Sequence, residues 1–156
     1  EAPFPKFKDI RSVLVIYESD LLEKNPDIRK VRDALLSEDI DVVTWGFVPK
    51  KEVTTAILPQ SRILGLKDVT LWGTLREGVV TDLCRRRYDV LIDLTQHSCL
   101  PLHYVAMLAR ADFKAGMHLK DGIHHLLIDT EAKENPSFLF EQIMYYLKTI
   151  HSNDVE

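Results

Sequence analysis

Eight polar side chains sit where a strand-based fold would place its chemistry. Glu18, Ser19 and Asp20 follow one apolar run, while Asp93, Thr95, Gln96, His97 and Ser98 close and follow another. Carboxylates beside an imidazole suit general acid–base work, because His titrates near neutral pH and an aspartate can orient it or take a proton. Asp20, Asp93 and His97 are therefore the catalytic candidates. Glu18, Ser19, Thr95, Gln96 and Ser98 are the candidates for holding a polar ligand. The plain alternative is that polar residues fill the loop at any strand end, with Asp93 accepting backbone N–H groups of a neighbouring loop.

Two further groupings invite chemistry. Cys99 lies between His97 and His103, just before a helix start at Pro101, and a thiolate can be stabilised by an imidazolium or a helix N-terminus. Its neighbours Ser98 and Leu100 supply no evident oxyanion arrangement. His118, His124 and His125 cluster with Asp121 and Asp129, which raises zinc. Adjacent His124 and His125 on an extended chain point to opposite faces, so at most one can join His118. Asp121-Gly122 is a turn signal, and the expectation is a hairpin-like turn with no metal. Neither GxGxxG nor GxxxxGK[ST] follows a strand, which argues against NAD, FAD and ATP in their usual modes, so no cofactor is expected.

The elements that must position these residues follow from hydrophobic pattern. Ser12–Tyr17 (SVLVIY) and Tyr88–Thr95 (YDVLIDLT) are continuous apolar, β-branched runs, as expected of strands buried on both faces of a parallel sheet. Asn25-Pro26 starts a helix in which Ile28, Val31, Leu35 and Leu36 recur at helical spacing to about Glu38, and a second strand follows from Asp41 to Phe47. Val53, Ala56 and Ile57 suit a short helix. A third strand falls at Arg62–Leu66 or at Val69–Leu71. Thr74-Leu-Arg-Glu77 reads as a capping box opening a helix to about Arg87, with Val79, Val80, Leu83 and Cys84 inward.

After a turn at Gln96–Leu100, a helix from Pro101 to Arg110 carries Val105, Leu108 and Ala109 as its apolar stripe. Short strands are expected at Phe113–Met117 and Leu126–Ile128. Asn135-Pro136 opens the last helix, with Phe138, Leu139, Ile143, Tyr146, Leu147 and Ile150. Its aromatic patch (Phe138, Phe140, Tyr145, Tyr146) reads as core plus one exposed tyrosine, with a homo-oligomer contact as the functional alternative.

Length and composition bound the rest. The chain has 156 residues, 46% apolar and 28% charged, enough for one domain with a core of its own. Residues 1–10 read as an extended arm and 11–156 as the single domain. The net charge of −4 with interspersed signs gives no grip for nucleic acid. Arg85-Arg86-Arg87, the one dense basic cluster, reads as a solvated helix C-terminal cap, with an anion site as the other reading. Cys84 and Cys99 read as buried free thiols of a reducing compartment, one disulfide being the alternative. No run approaches the roughly 20 apolar residues of a membrane span, and no signal peptide is recognisable, so the cytoplasm is the expected location.

YDVLIDLT, followed by an apolar helix and then Leu108–Gly116 (LARADFKAG), resembles the N-terminal half of heptosyltransferase-type glycosyltransferases. There a strand ending in Asp-Leu leads through a helix to an Ala-Lys-x-x-x-Gly strand. YDVLIDLT, PLHYVAMLARADFKAG and the terminal YYLK helix together resemble a family of small bacterial Rossmann-like proteins with no assigned activity. The transferase resemblance implies an Asp-based active site after the first strand. Asp20 falls in that position, but the family's preceding glycine is replaced by Ser19. It also implies a second, donor-binding domain, for which this sequence leaves no room.

Strands alternating with helices make an α/β fold, a three-layer Rossmann-like sandwich with a mostly parallel sheet of five or six strands. The expected order is 3-2-1-4-5 with a sixth strand at an edge, an order taken from the fold class. The expected function is a non-catalytic binding or interaction module. The alternative is a small enzyme or degenerate glycosyltransferase-like half-domain that binds a polar ligand at the C-terminal strand ends.

Overall fold

The computed structural model describes residues 4–18, 26–51, 60–117, 123–128 and 136–153. Six parallel strands form one sheet in the order β3-β2-β1-β4-β5-β6: β1 (Ser12–Glu18), β2 (Asp41–Phe47), β3 (Ser61–Leu64), β4 (Arg87–Asp93), β5 (Arg110–Met117) and β6 (Leu126–Ile128). Among the described residues four helices flank it: α1 (Pro26–Leu36), α2 (Glu77–Cys84), α3 (Leu100–Leu108) and α4 (Pro136–Asn153). This is the expected three-layer Rossmann-like sandwich, with the sixth strand present.

The central strands are apolar on both faces because helices cover both. Val13, Val15, Val90, Ile92 and Phe113 pack beneath α1 and α4. The alternate residues Leu14, Ile16, Val43, Trp45 and Leu91 pack beneath α2 and α3. Within the N-terminal arm, Phe7–Asp9 forms a 3-10 turn, the Phe4 ring lies tilted against Phe113 with centroids 4.9 Å apart, and Ile10 is buried. Asp89, the first aspartate of YDVLIDLT, accepts the backbone N–H groups of Arg11 (2.7 Å) and Ser12 (3.1 Å), while Ser12 Oγ accepts the Asp89 N–H. That exchange fixes β1 against β4 where both strands begin.

Several local expectations need correction. The Thr74 capping box does not form: α2 starts at Glu77 with Arg76 as its N-cap. Leu75 instead pairs with Val69 in an antiparallel bridge, and the Thr74 hydroxyl bonds that of Thr70 at 2.7 Å, which keeps this stretch extended. Of the two options for the third strand, the first holds with its bounds moved to Ser61–Leu64, while Leu71 of the second lies in an exposed turn. The helix ends at Cys84, short of Arg87, because Arg87 already belongs to β4. Its Cys84 is half-buried, as is Cys99, and both thiols are free.

The buried stripe of α3 is Leu102, Val105 and Ala106, continued by Ala109, whereas Leu108 is partly exposed. Leu36 of α1 is exposed too. β5 and β6 run parallel, and the hairpin-like turn expected at Asp121-Gly122 lies outside the described residues. On α4, two tyrosines rather than one are exposed, Tyr145 at 61% and Tyr146 at 37%. Each residue of the arginine cluster pairs with a carboxylate: Arg85 with Asp82, Arg86 with Asp41 and Arg87 with Asp112. The expected helix over Val53, Ala56 and Ile57 lies outside the described residues.

Candidate functional site

β1 and β4 are neighbours whose onward connections run to opposite sides of the sheet, which makes the gap at their C-terminal ends the topological switch point. The residues there form two connected groups. In the first, Glu18 at the end of β1 accepts the Gln96 N–H at 3.2 Å and lies 3.2 Å from His97 Nδ1. One carboxylate thus ties β1 to the loop after β4. His97 itself remains exposed.

The second group is buried. Asp93, the last residue of β4, accepts the backbone N–H and the hydroxyl of Thr95 on Oδ1. Its Oδ2 lies 2.9 Å from His124 Nε2, and the two side chains are only 7% and 2% exposed. Room for the imidazole comes from Gly116, the residue of β5 in register with Asp93. A Cβ at Gly116 would stand 2.9 Å from His124 Nε2 and 3.0 Å from the Asp93 Cβ. An aspartate on Nε2 fixes the ring's orientation and leaves Nδ1 to face another group. His124 Nδ1 is buried without a hydrogen-bond partner among the described residues.

Beside this pair lies a small cavity of about 10 Å³, lined by Asp93, Thr95, His97, Cys99, His103, Met117 and His124. A space of that size takes about one water molecule. Burial pushes the Cys99 thiol above its ordinary value; a backbone hydrogen bond from Leu102 opposes this, and the Glu18 and Asp93 charges reinforce it. A protonated thiol is a weak nucleophile, so the environment runs against the Cys–His pairing considered from sequence. No group of three or more His, Cys, Asp or Glu side chains among the described residues is arranged to hold a metal ion.

His125 turns the other way from His124, as its place on extended chain requires. Its Nδ1 accepts the Lys114 N–H at 2.8 Å, its own N–H donates to the Lys114 carbonyl at 2.6 Å, and its ring stacks on Phe113. Burial, and then the Lys114 charge, hold this imidazole below its usual range.

The chain belongs to a family of unknown function, DUF6913. The family model matches residues 2–150. No curated protein sequence matches the chain. Among solved structures, the DUF6913 fold is similar to E. coli heptosyltransferase WaaC with ADP, with a TM-score of 0.53 and 16% identity over 84% of this chain and 46% of that one. The chain therefore spans about half the length of the protein it matches, and at that identity the likeness shows the fold alone.

Of the residues singled out from sequence, the DUF6913 structure brings Glu18, Gln96 and His97 together and places Asp93 and Thr95 in the adjoining buried group. Ser98 lies on the same loop, exposed. Ser19, Asp20, His118, Asp121 and Asp129 lie outside the described residues. His124 as the partner of Asp93, and Gly116 as the residue that admits it, were missed. The one available signal was the opposite facing of adjacent His124 and His125, which puts one ring over the sheet end if Leu126–Ile128 pairs with β5.

Proposed function

We propose that this DUF6913 chain is a non-catalytic Rossmann-like binding module that takes a small polar ligand at the C-terminal ends of β1 and β4. The observation that carries the reading is the engagement of Asp93. Its Oδ1 serves Thr95 and its Oδ2 serves His124 inside the protein, so the best-placed carboxylate is occupied as a structural anchor. A general base needs an oxygen directed at a substrate proton. The groups we assign to a ligand are instead His124 Nδ1, buried without a partner among the described residues, and the Gln96–His97 loop held by Glu18. Such a set supplies hydrogen bonds to a polar ligand.

A thermal-shift panel of sugars, sugar phosphates, nucleotides and nucleotide sugars tests this. A ligand at a hundredfold excess over its Kd adds about 2.7 kcal/mol, worth roughly 5–10 °C in a domain of this size. The expected result is a shift with one small polar class, lost in His97→Ala, without turnover of that ligand. The alternative, a degenerate glycosyltransferase-like half with Asp20, Asp93 and His97 around the cleft, draws on the fold likeness to the heptosyltransferase. Release of nucleoside diphosphate from a nucleotide sugar, abolished by His97→Ala, would replace the first reading with the second.

A further inference from the structure

The cavity at the end of β4 is lined mainly by hydrogen-bond acceptors. Thr95 gives its hydroxyl proton to Asp93 Oδ1, so its oxygen is left with lone pairs to offer. Asp93 is a carboxylate and can only accept. His124 donates Nε2–H to Asp93 Oδ2, which makes Nδ1 of the neutral ring an acceptor. The Nε2–Cδ2 edge of that ring packs over Gly116, which leaves the Nδ1 side to face the cavity. That nitrogen is buried and has no partner among the described residues. His97 sets its Nδ1 against Glu18 Oε2, and since a carboxylate takes the N–H, Nε2 of the neutral ring is again an acceptor. The Cys99 thiol adds only a weak donor.

Charge points the same way. Among the described residues no lysine or arginine lines the cavity. Beyond the effect of burial, the Glu18 and Asp93 charges set the Cys99 thiol against ionising, so the space it lines disfavours an anion. The start of α3 adjoins this space but is poorly equipped to hold one. Pro101 has no N–H, the Leu102 N–H acts on the Cys99 sulfur, and the His103 N–H is bonded to the Cys99 carbonyl. A phosphate or carboxylate would meet lone pairs and negative charge. The cavity of about 10 Å³ takes one group the size of a water molecule. An ammonium has that size, three donors, no acceptor and a positive charge. A hydroxyl brings a single donor and lone pairs of its own.

We propose that the ligand of this site carries a primary ammonium group, which enters the cavity between Asp93, Thr95 and His124 while the rest of the molecule lies on the Glu18–Gln96–His97 rim. This deepens the binding-module reading and rests on it. The class is that of small aliphatic amines without phosphate or carboxylate groups. The ammonium offers its protons to the Asp93 carboxylate, the Thr95 oxygen and His124 Nδ1, in charge-assisted bonds about twice as strong as those of a hydroxyl. A bare hard cation is a poorer match, because such ions want oxygen ligands and the cavity offers imidazole nitrogen.

An NMR titration of the whole chain at about pH 8, where an ordinary imidazole is neutral, tests this with three probes of one size. Ethanolamine, ethylene glycol and glycolate differ in a single group, which is ammonium, hydroxyl or carboxylate. Ethanolamine is expected to shift the Thr95 and Gln96 amides and the His124 ring saturably, at least about tenfold more tightly than ethylene glycol, with glycolate weaker still. It is also added to the thermal-shift panel, as the small polar class expected to stabilise the chain. Glu18→Gln keeps an acceptor for the Gln96 N–H and removes a charge, so it should narrow the preference for ethanolamine about threefold or more. His124→Phe fills the ring's space without a nitrogen and should abolish that preference; if this variant does not fold, Glu18→Gln decides. Equal shifts from potassium chloride, tighter binding of ethylene glycol or glycolate, or a preference unchanged in Glu18→Gln would overturn the ammonium assignment. So would a shift from another member of the panel with none from ethanolamine, which leaves the binding module standing. No shift from any probe or panel member overturns both.

Discussion

Gly116 shows how a missing side chain builds the buried pair. His124 Nε2 and the Asp93 Cβ occupy the space a methyl would fill. Gly116→Ala is expected to lose about 1–3 kcal/mol in urea unfolding, the usual cost of overpacking. Gly78 on α2 is the control: nothing lies within 4 Å of a Cβ there, so Gly78→Ala should gain up to about 1 kcal/mol from helix propensity. Removing the imidazole leaves the Asp93 carboxylate with Thr95 as its remaining hydrogen-bond partner among the described residues. His124→Ala should therefore cost about 1.5–3 kcal/mol, the range for a hydrogen bond to a charged group. In a double-mutant cycle the second change, Asp93→Asn, should cost clearly less than it does in the wild type. Cys99 offers a separate check. With its thiol held protonated by burial, its alkylation should lag that of an unhindered cysteine and accelerate only above the ordinary thiol range.

Among the elements, β6 is entered through His125, a titrating side chain bonded to β5. The neutral His125 ring accepts the Lys114 N–H, and its lowered pKa means that the folded state favours the unprotonated form. Stability from this group is full above the ordinary value of 6.5 and is lost as the pH falls through the lowered one. Acidification from about pH 7.5 to about pH 5.5 should therefore speed amide exchange at Lys114 and in β6, and do so less in His125→Asn, whose side chain does not titrate.

How much of this is legible in the sequence depends on whether local pattern or distant contact decides an element. YDVLIDLT and SVLVIY announce buried parallel strands because burial on both faces demands unbroken apolar runs. Pro26 and Pro136 mark helix starts because proline fits only the first turn. β3 is legible only as one of two options, because three of its four residues are partly exposed, Leu64 alone being buried, and no period distinguishes them from their neighbours. The Thr74 capping motif misleads because the Val69–Leu75 bridge, a contact outside the helix, overrides it. At the site, the rim Glu18–Gln96–His97 follows from the rule that ligands gather at strand ends. His124 does not, because it reaches Asp93 only after β6 has paired across β5.

The molecule as a whole has two apolar cores that share one sheet. Leu91 and Ile92 are successive, fully buried residues of β4, one in each core. Leu91→Ala and Ile92→Ala should each cost about 2–5 kcal/mol. Both variants should still unfold in one transition by Trp fluorescence and far-UV circular dichroism, since neither core exists without the strand between them. The sheet's outermost strands are also its shortest, four residues in β3 and three in β6. Open strand edges are templates on which another chain can add by backbone hydrogen bonding, and short edges present few free groups for it. This architecture therefore resists edge-to-edge aggregation at the place where an open parallel sheet is most vulnerable.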